Sequence, residues 1–143
     1  ADQELSSKKM GALLREKATV DTNATTGTIN FDVKTQNVQL RTTNASANFI
    51  LNIRGDASTT LNSSMATGES ISIAFEAKQG STAYYMTAIQ IDGSTVSPVY
   101  WQGGTAPDAG TADGIDSYLI NITKTGASAY TVLASLTAFT SVT

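Results

Sequence analysis

The chain of 143 residues contains neither cysteine nor histidine. The absence of cysteine excludes disulfides, thiol nucleophiles and thiolate metal sites. The absence of histidine excludes Ser-His-Asp and Cys-His catalytic arrangements as well as histidine-bound zinc or iron. Any catalytic chemistry would therefore have to use carboxylates, lysine or tyrosine, and the sequence predicts no cofactor and no metal.

Charged residues are also scarce, at 15% of the chain, and the formal net charge is -3. After Arg54 the only basic residues are Lys78 and Lys124, which argues against nucleic acid, since a binder needs clustered lysine and arginine to neutralise phosphates. No apolar run is long enough to cross a bilayer, so no membrane association is expected. Serine and threonine make up about a quarter of the residues, a composition that suits an exposed, β-rich protein.

The first segment of the chain has a helical pattern. Residues 2–17, DQELSSKKMGALLREK, are mostly good helix formers, and Met10, Leu13 and Leu14 follow the i, i+3, i+4 spacing of one helix face. A helix this short is marginal alone in water, so we expect it to dock on its own domain, on sister chains or on a larger assembly. Residues 1–18 are therefore predicted to be a helical docking arm. The predicted docking stripe is Leu5, Met10, Leu13 and Leu14.

From Thr19 onward the pattern changes to alternation of apolar and polar residues, which is typical of β-strands. Strict alternation occurs in TINFDV, NFILNIR, SISIAFEAK, DSYLINIT and AYTVLAS, and the dipeptide Asp92-Gly93 is a strong hairpin signal. About eight strands with one apolar face each predict an all-β fold. Residues 19–143 are accordingly expected to form an antiparallel, jelly-roll-like β-sandwich without an internal repeat.

Two short motifs carry candidate chemistry. Asp108, Asp113 and Asp116 lie in a glycine-containing loop where carboxylates could bind calcium, but their spacing does not match an EF-hand, and a solvated loop is favoured. Residues 54–56, Arg-Gly-Asp, match an adhesion tripeptide, yet they also fit a strand end followed by a turn. The turn is the preferred interpretation, because tripeptide matches are frequent by chance.

Aromatic residues suggest a second kind of site. Tyr84, Tyr85 and Trp101 could form a platform on which a sugar ring stacks, and the sequence leaves this glycan site open. The alternative is that these rings pack in the core or between chains, as large aromatic side chains usually do.

Four segments together resemble a known module. They are NFILNIRGDASTTLNSSMATGESISI, QGSTAYYMTAIQIDGSTV, YWQGGTAPDAG and IDSYLINITKTGASAYTVLASLTAF, which span about residues 20–139. They resemble a β-sandwich module found in virion structural proteins of tailed bacteriophages, particularly marine ones.

The resemblance implies a protein that is not an enzyme and that resides on the particle surface, as a tail fibre, tail appendage, neck or capsid-decoration component. It implies other virion proteins and copies of the chain itself, as a homo-oligomer such as a trimer, as partners. A module that recognises host-surface glycans is the alternative function. The shaft repeats of a long fibre are absent from this sequence.

Overall fold

The computed structural model describes residues 15–142, which consist mainly of β-strands. The strands are β1 Ala18–Ala24, β2 Gly27–Asp32, β3 Val38–Thr43, β4 Phe49–Arg54, β5 Ser70–Lys78, β6 Met86–Ile91, β7 Ser94–Thr95, β8 Tyr100–Trp101, β9 Gly114–Gly126 and β10 Ala129–Thr140. A one-turn helix, α1 (Leu61–Ser64), and a 3₁₀ turn at Gln102–Gly104 are the helical elements of the described residues.

The strands form two sheets. The large sheet has the strand order β1-β3-β5-β9-β10-β8, and the small sheet has the order β2-β4-β6-β7. The chain changes sheet at each of the first five connections, so that β1, β3 and β5 lie side by side in one sheet and β2, β4 and β6 in the other. The first half of the domain is thus a stack of three coils, each contributing one strand to each sheet.

Strand pairing differs from the antiparallel jelly-roll expected from the sequence. Pairing is parallel from β1 to β3 to β5 and from β2 to β4 to β6, whereas β5, β9 and β10 pair antiparallel, as do β6 and β7. The physical reason is the coil path, because a chain that visits the other sheet before returning runs in the same direction each time. The all-β prediction is confirmed, and the prediction that the pairing is antiparallel throughout is wrong.

The three coils also contain a structural repeat, although none was expected from the sequence. In the small sheet the register aligns INFD of β2 with LNIR of β4 and with IQID, which runs from β6 into the following turn. Two amides of this pattern pair between neighbouring strands, since Asn52 Nδ2 donates to Asn30 Oδ1 at 2.8 Å. Residues 55–69, which include α1, separate the second coil from the third and obscure the period in the sequence.

One apolar core fills the space between the sheets. Its largest side chains are Phe31, Phe49, Phe75 and Tyr118, and the Phe49 ring lies 5.5 Å from Phe75 and 5.8 Å from Tyr118 between centroids. The alternation in DSYLINIT assigned Tyr118 correctly to the inner face, together with Ile120 and Ile122. Burial of these side chains is the main favourable contribution to folding.

The predicted docking arm lies almost entirely outside the described residues, including the stripe Leu5, Met10, Leu13 and Leu14. Residues 15–17 have no regular secondary structure, and β1 begins at Ala18, so the predicted helix does not reach Lys17. The Lys17 carbonyl instead accepts a hydrogen bond from the Asn37 backbone at 2.9 Å. Neither helical element of residues 15–142 has the length and apolar character that a bilayer span requires.

Candidate functional site

Tyr100 and Trp101, adjacent in sequence, point to opposite faces of the large sheet. They form the short strand β8, in which Tyr100 pairs with Leu133 and Trp101 with Ala134 of β10. Trp101 therefore faces inward and packs, half-buried, against the core, whereas the Tyr100 side chain is 57% exposed on the outer face. The sequence left two alternatives for Trp101, a sugar platform or packing in the core or between chains. In the structure the Trp101 ring packs against the core.

Tyr84 and Tyr85 lie in the loop between β5 and β6, and their backbone is held firmly. The buried Gln79 side chain accepts from the Tyr84 N–H at 3.0 Å and donates to the Tyr84 carbonyl at 2.7 Å. The Tyr85 N–H donates to Asn48 Oδ1 at 3.1 Å. Trp101 lines a cavity with Gln102, Thr105, Pro107, Ser135 and Leu136, and neither tyrosine is part of that lining. The glycan contact of Tyr84, Tyr85 and Trp101 stays a prediction.

The carboxylates of the acidic loop point in different directions. Asp116 is fully buried, and its Oδ2 accepts hydrogen bonds from Gln79 Nε2 and from the Thr111 N–H, each at 3.0 Å. Asp108 and Asp113 are exposed. Within the part of the chain that the structure describes, no cluster of three acidic, cysteine or histidine side chains could hold a metal ion. Asp116 is an internal anchor for two loops.

The Arg-Gly-Asp tripeptide is a structural turn whose charges are already paired. Arg54 Nε donates to Asp32 Oδ1 at 2.6 Å, and Lys34 Nζ lies 2.9 Å from Asp56 Oδ2. Hydrogen bonds from Lys34, from the Ser58 N–H and from Thr59 hold the pKa of the Asp56 carboxyl well below its usual range. A β-carbon on Gly55 would lie 2.5 Å from Ser64 Oγ, so only glycine fits this close approach. The preferred turn interpretation agrees with this geometry.

Comparison with models of known protein families, with curated proteins and with solved structures finds no match. The surface itself must therefore supply the candidate site.

The most unusual surface is the outer face of β8, β9 and β10. Exposed large apolar side chains occur along it, which we call the apolar face: Tyr100, Ile115, Leu119, Leu133 and Phe139. The strand register places Tyr100 beside Leu133 and Ile115 beside Phe139. The other outward residues of β9 and β10 are serine, threonine and asparagine, without any charge. The polar pair Ser117 and Thr137 lies between Ile115 and Phe139 at one end of the face and the two leucines further along. Exposed large apolar side chains grouped on one uncharged sheet face commonly mark contact sites.

A shallow depression of about 480 Å³ lies between the two leucines of this face. Leu119 and Leu133 form its apolar sides, and Ser72, Asn121 and Ser135 line its margin. The Asn121 amide is fixed there, because its Nδ2 donates to Ser72 Oγ at 3.0 Å and to Ser70 Oγ at 3.1 Å. The apolar face therefore combines exposed leucine side chains with an apolar depression between them, on two hydrogen-bonded strands.

The sequence contains a signal for this surface in two of its alternating segments. In DSYLINIT and AYTVLAS, alternation assigns Leu119 and Leu133 to the solvent side of strands whose other side is already apolar. A leucine on the outward side of two neighbouring strands is a deviation that points to a contact surface.

The Tyr118 hydroxyl and the Lys124 ammonium, two reactive groups inside the domain, are engaged in structural contacts. The Tyr118 hydroxyl accepts from the Met86 N–H at 3.1 Å, and burial raises the pKa of this phenol well above its usual range. The buried Lys124 ammonium donates to two backbone carbonyls, one of them Met65 O at 2.7 Å. None of these groups lines a surface cavity with a second acid or base in the geometry that proton transfer requires.

Proposed function

We propose that the chain is a non-enzymatic structural protein of a bacteriophage virion, a surface-displayed β-sandwich whose copies pack through the apolar face. The virion location follows the sequence resemblance, and the apolar face supports a role in assembly. In this role the chain supplies a stiff module whose contacts with copies of itself and with other virion proteins hold it on the particle.

A second copy of the chain is the occupant that the charge distribution favours. Identical faces repel each other when they carry charge of one sign, and the outer faces of β9 and β10 carry none. The nearest charges on the large sheet's outer face are Glu76 and Lys78 on β5, which have opposite signs. Two such faces can therefore approach without electrostatic cost, which is the condition for a self-complementary contact.

The size of the apolar face sets the strength of a contact between copies. β9 and β10 extend roughly 40 Å and together span about 10 Å, and the two residues of β8 add little, which gives on the order of 450 Å² per copy. Two copies would then bury on the order of 900 Å², the size of a weak, transient interface. The contact is therefore expected to form only at high protein concentration and to depend strongly on its few large apolar side chains.

The test measures the molar mass of the purified chain by light scattering after size-exclusion chromatography. With the protein loaded at high concentration, we expect the wild type to be oligomeric and the double variant Leu119→Ser, Leu133→Ser to be monomeric and folded. Val20→Ser is the matched control, because Val20 is 66% exposed on β1 at the far edge of the same sheet. A monomeric wild type, or a double variant of unchanged mass, would refute packing through this face.

The location on the particle has its own test. Quantitative mass spectrometry of purified phage particles should detect the chain at a fixed number of copies per particle. Its absence from intact particles would contradict the virion assignment without affecting the result on self-association.

A further inference from the structure

A cavity of about 370 Å³ opens at the end of the domain where residues 91–97 and 125–130 face each other. Serine and threonine hydroxyls dominate its polar lining, from Ser94, Thr95, Ser97, Thr125 and Ser128. All five of these residues are exposed. Ile91 and Val96 add apolar surface, so one cavity combines hydroxyl groups with apolar wall. We call it the end cavity.

Tyr130 is the aromatic side chain of the end cavity. Its hydroxyl is buried and has no hydrogen-bond partner within residues 15–142. A tyrosine phenol is protonated at neutral pH and can donate a hydrogen bond. Burial, and secondly the negative charge of Asp92, raise the pKa of the Tyr130 phenol further. An unpaired buried hydroxyl is unfavourable, and a small outward shift of the Tyr130 side chain would let an acceptor on a ligand in the cavity pair with it.

Asp92 is the one charged side chain in the cavity lining. Its two oxygens accept from the Leu61 and Asn62 N–H groups at 2.7 and 3.0 Å, which fixes the carboxylate in place. A carboxylate has about four acceptor sites, so hydrogen-bonding capacity remains for ligand hydroxyls. Because no cation lines the cavity, an anionic ligand would be repelled.

We propose that the end cavity binds a neutral sugar residue. A sugar ring offers both hydroxyl groups and an apolar C–H surface, which matches a wall of hydroxyls, one carboxylate and one aromatic ring. The volume is near the lower end of ordinary ligand pockets, which fits a single small ring rather than a long ligand. The site involves none of Tyr84, Tyr85 or Trp101.

This inference goes beyond the proposed assembly role and is independent of it, because the end cavity and the apolar face share no residue. Either proposal can fail while the other holds.

The experiment is a two-dimensional NMR titration of the ¹⁵N-labelled chain with neutral methyl glycosides of glucose, galactose, mannose and N-acetylglucosamine. We expect at least one to give saturable shifts confined to residues 91–97 and 125–130, and an acidic sugar to bind more weakly. The absence of saturable shifts at the end cavity with all four glycosides would overturn the proposal.

Two variants identify the site. Tyr130→Phe removes only the unpaired hydroxyl, loses no internal hydrogen bond, and should weaken binding about three- to tenfold with the fold intact. Thr95→Trp places a large ring at the exposed margin of the cavity and should abolish binding. The matched controls are Tyr100→Phe and Thr131→Trp on the outer face of the large sheet, which should bind normally. Unchanged binding by Thr95→Trp, or by Tyr130→Phe, would overturn the assignment.

Discussion

Asp92 and Lys124 hold the two ends of helix α1 from different sheets. Asp92, directly after β6, accepts from the Leu61 and Asn62 N–H groups at the start of the helix. Lys124, on β9, donates to the Asn62 carbonyl and to the Met65 carbonyl at its end. Helix ends leave backbone groups without partners, and these two charged side chains supply them. The one-turn helix thereby connects the small sheet to the large one.

Replacing Lys124 with methionine should test this connection. The substitution keeps the length of the side chain but removes a buried ammonium that donates two hydrogen bonds, so we expect a loss of about 2–4 kcal/mol in the free energy of unfolding. Urea denaturation measures it. Lys78→Met, at an exposed position, is the control and should change stability by less than about 0.5 kcal/mol. Equal denaturation midpoints for the two variants would contradict a role for Lys124 in holding α1.

The buried Asp116 carboxylate permits a second comparison. Asp116→Ala leaves Gln79 Nε2 and the Thr111 N–H without an acceptor and should cost about 2–4 kcal/mol. Asp116→Asn retains an oxygen acceptor and removes the charge, so a cost of about 1 kcal/mol is expected. Urea denaturation of both variants separates the two contributions. If asparagine is as damaging as alanine, the charge rather than the hydrogen bonds holds the loops.

The inward and outward faces of the strands were largely predictable from the sequence, whereas the neighbours of each strand were not. SISIAFEAK matches β5 residue for residue, and Asp92-Gly93 forms the expected turn with positive φ at both positions. Alternation shows which side of a single strand is buried, so these faces can be predicted without knowing which strands pair. Whether β1 lies beside β2 or β3 depends on which sheet each connection reaches, and alternation says nothing about that.

The candidate surfaces were less predictable, for a related reason. Leu119 and Leu133 are 14 residues apart in sequence, and only the β9–β10 register places them around one depression. The end cavity likewise requires the β6–β7 and β9–β10 turns to meet. Trp101, the most conspicuous residue of the sequence, faces inward because β8 pairs with β10 in parallel register.

The pKa of the Asp56 carboxyl should depend on its contact with Lys34. The folded state lowers the pKa of this carboxyl, so its favourable contribution is present at neutral pH and is lost as the pH falls through the folded pKa. Lys34→Met removes the first cause of the shift and should move the Asp56 pKa upward. Carboxyl ¹³C NMR titration reports this value directly. Lys78→Met should leave it unchanged, and an unaltered Asp56 pKa in Lys34→Met would show that Ser58 and Thr59 suffice.

Gly110 lies in the loop that joins β8 to β9, and its lack of a side chain lets the backbone approach Tyr84 closely. A β-carbon at this position would lie 2.3 Å from the Tyr84 carbonyl oxygen, so the backbone itself would have to move. Gly110→Ala should therefore cost about 1–3 kcal/mol, as overpacking does elsewhere. Gly126→Ala is the control, because its nearest neighbour would be the Ala129 β-carbon at an ordinary 3.6 Å. Urea denaturation should separate the two variants, and NMR shifts near Tyr84 should change only in Gly110→Ala. If both alanines are tolerated equally, the loop is not held against Tyr84 in solution.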